Sequence, residues 1–322
     1  MVVSSIVTQN RCKSPNMRTE RFFRKILVAL CVLSTYLLYQ THDDNQRTLE
    51  EAVTSLATAE EQDKEEEEPK RRPIVKTFFQ SLEDSSSTAP SHDPLLQVWK
   101  EEWEMAGFEA QILTMEDARK HPYYDTMREA VEKVFKIDPY NQYCFYRYLA
   151  MAVTGGGWHV DYDTIPANFP VRDAVFLPTN GKFTSHQRFV PALISSSEEE
   201  WSRVAKLLVE QIPKKNEEDG NSDMYMLMEL EDEGNHDIDS TEKVASARDV
   251  VAGKRSINCK VMNHSFAVHF SHSAMMGLYN KGAYPLDVKS PNEAKSSANR
   301  AKAIKMIMED YRDQCQKSDT KK

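Results

Sequence analysis

The sequence has no excess of positive charge: 41 Lys and Arg stand against 50 Asp and Glu, a net of −9 over 322 residues. A protein whose main partner is nucleic acid needs a basic surface for the phosphates, so that class is set aside. Cysteine is sparse as well. Five residues, an odd number, do not build a disulfide scaffold, and without any Cys-x-x-Cys pair a zinc site is not expected. No internal repeat is visible, and one apolar run alone, Ile26 to Tyr39, is long. What is present in quantity, 40% hydrophobic and 9% aromatic residues, exceeds what a disordered chain carries and calls for a packed core.

The charge is unevenly distributed. Residues 1–41 hold six basic side chains and one acidic, a net of +5, and residues 42–72 are at −6. The apolar run follows Arg24 and Lys25 and precedes Asp43 and Asp44. With Phe22, Phe23 and snorkelling of the two basic side chains, the span reaches about 18 residues, near the minimum for a bilayer. The positive-inside rule keeps the basic tail, 1–21, in the cytosol and sends the remainder across. The expectation is a single transmembrane signal anchor over 22–40, in type II orientation. A cleaved signal peptide is the alternative, although no small-x-small cleavage site follows the run. Residues 41–72, with the run Glu60 to Glu68, read as a self-repelling acidic stem.

A globular domain is expected over 73–290, followed by a charged helical tail over 291–322. Ile74-Val75 and Phe78-Phe79 read as a first strand, Leu95, Leu96, Trp99 and Trp103 as a helix face, and Phe108 to Leu113 as a second strand. Thr114 to Asp117 and Thr126 to Glu129 have the form of capping boxes. Tyr140 to Val153 reads as an apolar helix stopped by Gly155-Gly156-Gly157. Strands are then expected at 158–163, Ala174 to Leu177, Phe189 to Ile194 and Phe266 to Phe270, with a helix capped by Ser197. Strands alternating with helices predict an α/β sheet covered on both faces.

The stretch from Tyr146 to Asp163 carries the chemistry. If 158–163 is extended, His159, Asp161 and Asp163 share one face, with the two carboxylates about 7 Å apart at Cα. At the carboxyl end of a strand they lie where open α/β sheets bind ligands. Such a pair suits a hard divalent cation, Mg²⁺ or Mn²⁺, which can bridge to a pyrophosphate. An Asp-x-Asp by itself also occurs in solvated turns; the context of helix, Arg147-Tyr148, glycine stop and apolar strand gives it weight.

In Arg147, Tyr148, Gly156, Gly157, Asp161 and Asp163 the sequence resembles the DXD-motif glycosyltransferases. That family includes initiating α-1,6-mannosyltransferases and α-1,4-galactosyl- and N-acetylglucosaminyltransferases. Its pattern is R-Y-x-x-L-x-x-x-G-G-x-Y-x-D-x-D, and His159 stands at its second Tyr. Pro73 to Phe79 is similar to its opening strand. Val268 to Ser273 resembles its H-x-x-x-[GS]-S-W element, with Met275 where the Trp is sought. The resemblance covers about 73–280. It implies a GT-A type, Rossmann-like nucleotide-sugar-binding fold and a single-pass type II protein of the Golgi or ER membrane with a lumenal domain. It also implies a UDP- or GDP-sugar donor, a glycan, glycoprotein or glycolipid acceptor, dependence on Mn²⁺ or Mg²⁺, and retention of anomeric configuration.

By position, the resemblance implies that Asp163 binds the metal directly and that Asp161 contacts the ribose or donor sugar, or the metal through water. It places Arg147 near the donor sugar, holding the carboxylates, and makes His269 a second metal or phosphate ligand. The remaining candidates each have two readings. Tyr148 either packs or touches substrate, and His159 either orients the site or binds. Asp223 is a helix cap or approaches the sugar. Two other functions stay open: a lumenal nucleotide- or carbohydrate-binding module without turnover, and a membrane-tethered adaptor working through its stem. Cys144, Cys259 and Cys315 fall on the lumenal side of the expected membrane, where one pair can oxidise.

Overall fold

The computed structural model describes residues 72–81, 93–134, 139–212, 222–234 and 236–316. The chain divides into Met1–Lys70 and Arg71–Lys322, and every described residue belongs to the second unit. The expected basic tail, the anchor at 22–40 and the stem up to Arg71 lie outside the described residues. Among the described residues no helix is long and apolar enough to cross a membrane.

Strand β1 (Ile74–Phe78) is followed by helix α1 (Asp93–Met105), whose Leu95, Val98, Trp99 and Trp103 fall on one face and are buried. Strand β2 (Glu109–Leu113) ends at Thr114, which closes the expected capping box with Asp117 at the start of α2 (Met115–Ala118). Helix α3 (Tyr124–Val134) corrects the second capping box, since Thr126 lies inside its first turn. The turn before it is closed by His121, whose Nδ1 accepts from Tyr123 N and whose carbonyl accepts from Tyr124 N.

Helix α4 (Pro139–Val153) runs into the three glycines and strand β3 (Gly157–Val160). Gly156 has φ +65°, and a Cβ there would stand 2.6 Å from Glu198 N and 2.7 Å from Ser196 O. Only glycine fits that close approach. Lys76 of β1 is buried, and its Nζ donates to Gly156 O (2.8 Å), to Thr154 Oγ1 (3.2 Å) and to Thr154 O. A lysine thus caps the carboxyl end of α4, satisfying carbonyls that the helix leaves open.

Next come β4 (Thr164–Pro166), the hairpin of β5 (Thr184–Phe189) and β6 (Leu193–Ser196), α5 (Glu198–Gln211), α6 (Asp223–Glu233) and β7 (Asp239–Ser240). The cap on α5 is Ser197, as expected. The strand expected at Ala174 to Leu177 is a chain of turns instead. Ala174 is buried with its carbonyl on Trp158 Nε1, while Val175 and Phe176 face solvent. The strand expected from Phe189 to Ile194 is broken at Val190-Pro191 into the β5–β6 hairpin, because proline has no N–H for the ladder.

The remaining elements are β8 (Val244–Ser246), α7 (Ala247–Val250), β9 (Val251–Gly253), β10 (Ser256–Ile257), α8 (Cys259–His264), β11 (Ala267–His269), α9 (His272–Asn280), α10 (Pro291–Lys295) and α11 (Ser297–Tyr311), with a final π-type turn, Arg312–Gln316. The main sheet has six strands in the order β2-β1-β3-β6-β5-β7. Its β2-β1-β3 half is parallel, and β6 pairs antiparallel to both β3 and β5. A smaller sheet has the order β4-β11-β8.

The fold is therefore mixed α/β with parallel strands, compatible with a Rossmann-like arrangement. Each sheet face has its own core. Trp158, Val160 and Leu193 join α1 and the late helices, while Ile194 joins α4, α5 and α6. Each large apolar side chain buried in them contributes about 1.5–3 kcal/mol. The segment read as a charged tail packs into the first core through Ala301, Ile304, Ile307, Met308 and Tyr311. A disulfide joins Cys259 to Cys315, and Cys144 keeps its thiol.

Candidate functional site

Strand β3 stops at Val160, earlier than expected, and the chain turns. Thr164 N donates to Asp161 O at 2.8 Å, so Asp161, Tyr162 and Asp163 lie on a turn rather than on an extended strand. The turn sits just past the carboxyl end of a parallel strand. On the turn both carboxylates still reach the same cavity. His159, inside β3, is buried and packs edge-on against Trp201 at 6.0 Å, away from the cavity lining. The alternation that placed His159 with the carboxylates is overridden by this turn. Burial holds the His159 ring well below the usual histidine range, helped by Arg147.

The cavity has a volume of about 500 Å³. Arg147, Asp161, Asp163, Asp223, His269 and His272 supply its charged and polar wall, and Phe78, Phe79, Tyr140, Tyr143, Val190 and Met224 supply much of its apolar wall. That size and mixture suit a small-molecule ligand with one charged end.

His269 arrives from the small sheet. Strand β11 pairs antiparallel with β4, in a register that sets His269 opposite Thr164 and therefore beside Asp163. Its Nε2 lies 3.4 Å from Asp163 Oδ1. Among the described residues, Asp161, Asp163 and His269 form a group whose ligand atoms all lie within 4.8 Å of one another.

The two carboxylates of the turn are held by different arginines. Arg147 on α4 donates from Nη1 to Asp161 Oδ1 (2.7 Å), and from Nη2 and Nε to Asp223 Oδ2 (2.6 and 3.1 Å). Asp223 opens α6 and is buried. Tyr148 OH donates to the same Oδ2 at 3.0 Å, and Met224 N donates to Oδ1 at 2.9 Å. Tyr148 itself is fully buried and outside the cavity lining; it meets the site through Asp223 and through the Arg147 guanidinium, which lies over its ring at 5.9 Å. Arg300 on α11 is fully buried, and its Nη2 donates to Asp163 Oδ2 and to Phe270 O.

These pairings set the titration. Burial pushes Asp161 up to about 6, against the pull of Arg147. For Asp163 burial also raises the carboxyl, but His269 and Arg300 together hold it below the usual carboxylate range. Burial lowers His269 and Asp163 raises it, and the carboxylate prevails. With His269 neutral, Asp161, Asp163 and Asp223 against Arg147 and Arg300 leave the cluster one negative charge in excess.

The chain belongs to the family described as domain of unknown function DUF8765. The match covers residues 52–258. No curated protein and no solved structure matches the chain. The DUF8765 region contains Arg147, Tyr148, Asp161, Asp163 and Asp223, whereas His269 and Arg300 follow it.

Sequence reasoning missed two residues of the site. Gln187 on β5 meets His269 Nδ1 through its Oε1 at 3.0 Å, and Arg300 meets Asp163. No spacing rule flags either of them. Arg300 alone left a trace, as a charge lying within the apolar stripe of α11.

Proposed function

We propose that this chain is a metal-dependent glycosyltransferase of GT-A type, moving a sugar from a UDP- or GDP-sugar to a glycan, glycoprotein or glycolipid acceptor. In this reading residues 22–40 anchor it as a type II protein of the Golgi or ER membrane, with the domain in the lumen. The observation that carries the proposal is the convergence of Asp161, Asp163 and His269 beside a cavity of about 500 Å³.

The donor set fits a divalent cation on its own geometry. With Gln187 Oε1 as the acceptor, His269 Nδ1 would carry the proton of a neutral ring. The lone pair on Nε2 then faces Asp163 Oδ1 at 3.4 Å. Two acceptors opposed at that distance repel unless a positive charge lies between them, a proton or a metal ion. Two carboxylate oxygens and one imidazole suit Mn²⁺, with Mg²⁺ as the harder alternative. Asp163 and His269 would hold the ion directly, with Asp161 beside them. When bound, a divalent ion supplies the positive charge that stabilises a departing nucleoside diphosphate.

The chain's own residues supply the rest. The cluster's single negative excess becomes positive when a dication is added, which favours an anionic donor in an acidic protein. Arg147 spans Asp161 and Asp223 and so ties the turn after β3 to the start of α6. Preorganised charges of this kind need no rearrangement during reaction. Phe78, Phe79, Tyr140 and Tyr143 give one side of the cavity an apolar wall against which a donor could pack.

A panel of UDP- and GDP-sugars, incubated with the intact chain with and without Mn²⁺, tests the reading. Release of nucleoside diphosphate from at least one donor, dependent on Mn²⁺ and reduced at least about 100-fold in Asp163→Ala, is expected. Metal-dependent nucleotide binding without turnover across the panel would favour the binding module instead. Turnover that Asp163→Ala leaves unchanged would remove this site from the chemistry.

A further inference from the structure

Asp163 presents its two oxygens to two different partners. Oδ2 is occupied by Arg300 Nη2, which also donates to Phe270 O at 2.8 Å. Oδ1 is the oxygen that faces His269. Arg300 is fully buried, and the helix that carries it is tightly fixed. Ser296 caps that helix at its start. At its end Arg312 Nη1 meets Glu102 at 2.8 Å, Tyr311 OH donates to Asn263 Oδ1 at 3.2 Å, and Cys315 is joined to Cys259. The guanidinium therefore has little freedom to leave Oδ2.

We infer that Arg300 is a positioning residue that sets the ion preference of this centre, by restricting Asp163 to one coordinating oxygen and by lowering the charge of the cluster. The inference rests on the metal-centre reading above and adds what selects the ion. Calcium takes six to eight oxygen ligands, commonly including a two-oxygen carboxylate, and its affinity rises with the number of charged ligands. Manganese accepts imidazole and is satisfied by single-oxygen carboxylates. With Oδ2 engaged by Arg300 and His269 in the ligand set, the site has too few free oxygens and too little charge for Ca²⁺. An arginine holding Asp163 Oδ2 from a separate helix, with Oδ1 left toward His269, converts a generic acidic turn into a selective one.

Calorimetric titration of the intact chain with MnCl₂ and with CaCl₂ tests this in wild type, Arg300→Met and Arg300→Lys. Wild type binds Mn²⁺ at least about tenfold tighter than Ca²⁺. In Arg300→Met both ions gain from the extra negative charge, but Ca²⁺ gains more because Oδ2 is freed. The Mn²⁺-to-Ca²⁺ preference falls by on the order of tenfold. Arg300→Lys, which keeps the charge, stays near wild type. If Arg300→Met does not fold, Arg300→Leu, which likewise removes both the charge and the donor, carries the same prediction. A purely structural arginine changes both affinities by the same factor, and an unchanged preference in the uncharged variant overturns the inference while leaving the metal centre standing. Absence of Mn²⁺ binding by wild type overturns both.

Discussion

At the scale of single residues, the site depends on side chains that fix other side chains. Gln187 Oε1 lies 3.0 Å from His269 Nδ1, which leaves Nε2 turned toward Asp163. Outer partners of metal-binding histidines typically change metal affinity by about 10–100-fold. Gln187→Leu is expected to weaken Mn²⁺ binding by that factor with little change in melting temperature, as titration followed by thermal unfolding will show. A buried histidine apart from the site predicts a pH dependence. His186 bonds Ser195 Oγ at 2.9 Å and Thr241 Oγ1 at 3.1 Å and stacks on Trp158, and burial pushes its ring down to about 4. The unfolded chain protonates this ring near 6.5, so between 6.5 and 4 the unfolded state holds the extra proton. Its stabilisation is complete above pH 6.5 and is lost as pH falls toward 4, by ~3 kcal/mol. Urea unfolding at pH 7 and pH 4.5 is expected to show this loss in wild type and a smaller loss in His186→Gln.

These residues also show what the sequence could and could not reveal. Arg147, Asp161 and Asp163 were legible because a helix, a glycine stop and a strand fix their order locally. His269 was legible through its resemblance to a motif, not through any spacing to Asp163, since their proximity depends on the register of β11 on β4. Gln187 and Arg300 were not legible, because each reaches the site through a long-range pairing. His159 was drawn in by an alternation that fails where β3 ends.

At the scale of elements, the unit that presents the site is α4, its glycine stop and β3. The chain reverses at Gly156 with no room for a side chain against the start of α5. Gly156→Ala combines a left-handed φ with backbone contacts at 2.6 and 2.7 Å. A loss of at least about 2 kcal/mol is expected, seen as a lower denaturation midpoint. The same variant displaces Asp161 relative to Arg147, so Mn²⁺ affinity falls with stability. The elements misjudged from sequence were those where turns interrupt an apolar run. Ala174 to Leu177 has strand-like composition, yet its residues are divided between a buried alanine and an exposed phenylalanine.

At the scale of the whole molecule, the candidate site is assembled from the DUF8765 region and from the segment after it. The late helices close the first core and deliver Arg300. The Cys259–Cys315 disulfide holds this closure across a sequence separation of 56. A loop of that length restricts the unfolded chain enough for a stabilisation of about 4 kcal/mol. Replacing both cysteines by serine is expected to lower stability by an amount of that order, measured by chemical denaturation, while leaving the turn at Asp161–Asp163 in place. The net charge of −9 fits this picture. In the proposed reading, an acidic protein would receive an anionic donor because one dication reverses the local field.

The most direct test of the account is the nitrogen coupling of Mn²⁺ bound to the intact chain, read by pulsed electron paramagnetic resonance. One Mn²⁺ per chain, coupled to a single imidazole nitrogen that disappears in His269→Ala, is the predicted result. Mn²⁺ bound without nitrogen coupling, or with a coupling that survives His269→Ala, would contradict a centre built from Asp161, Asp163 and His269.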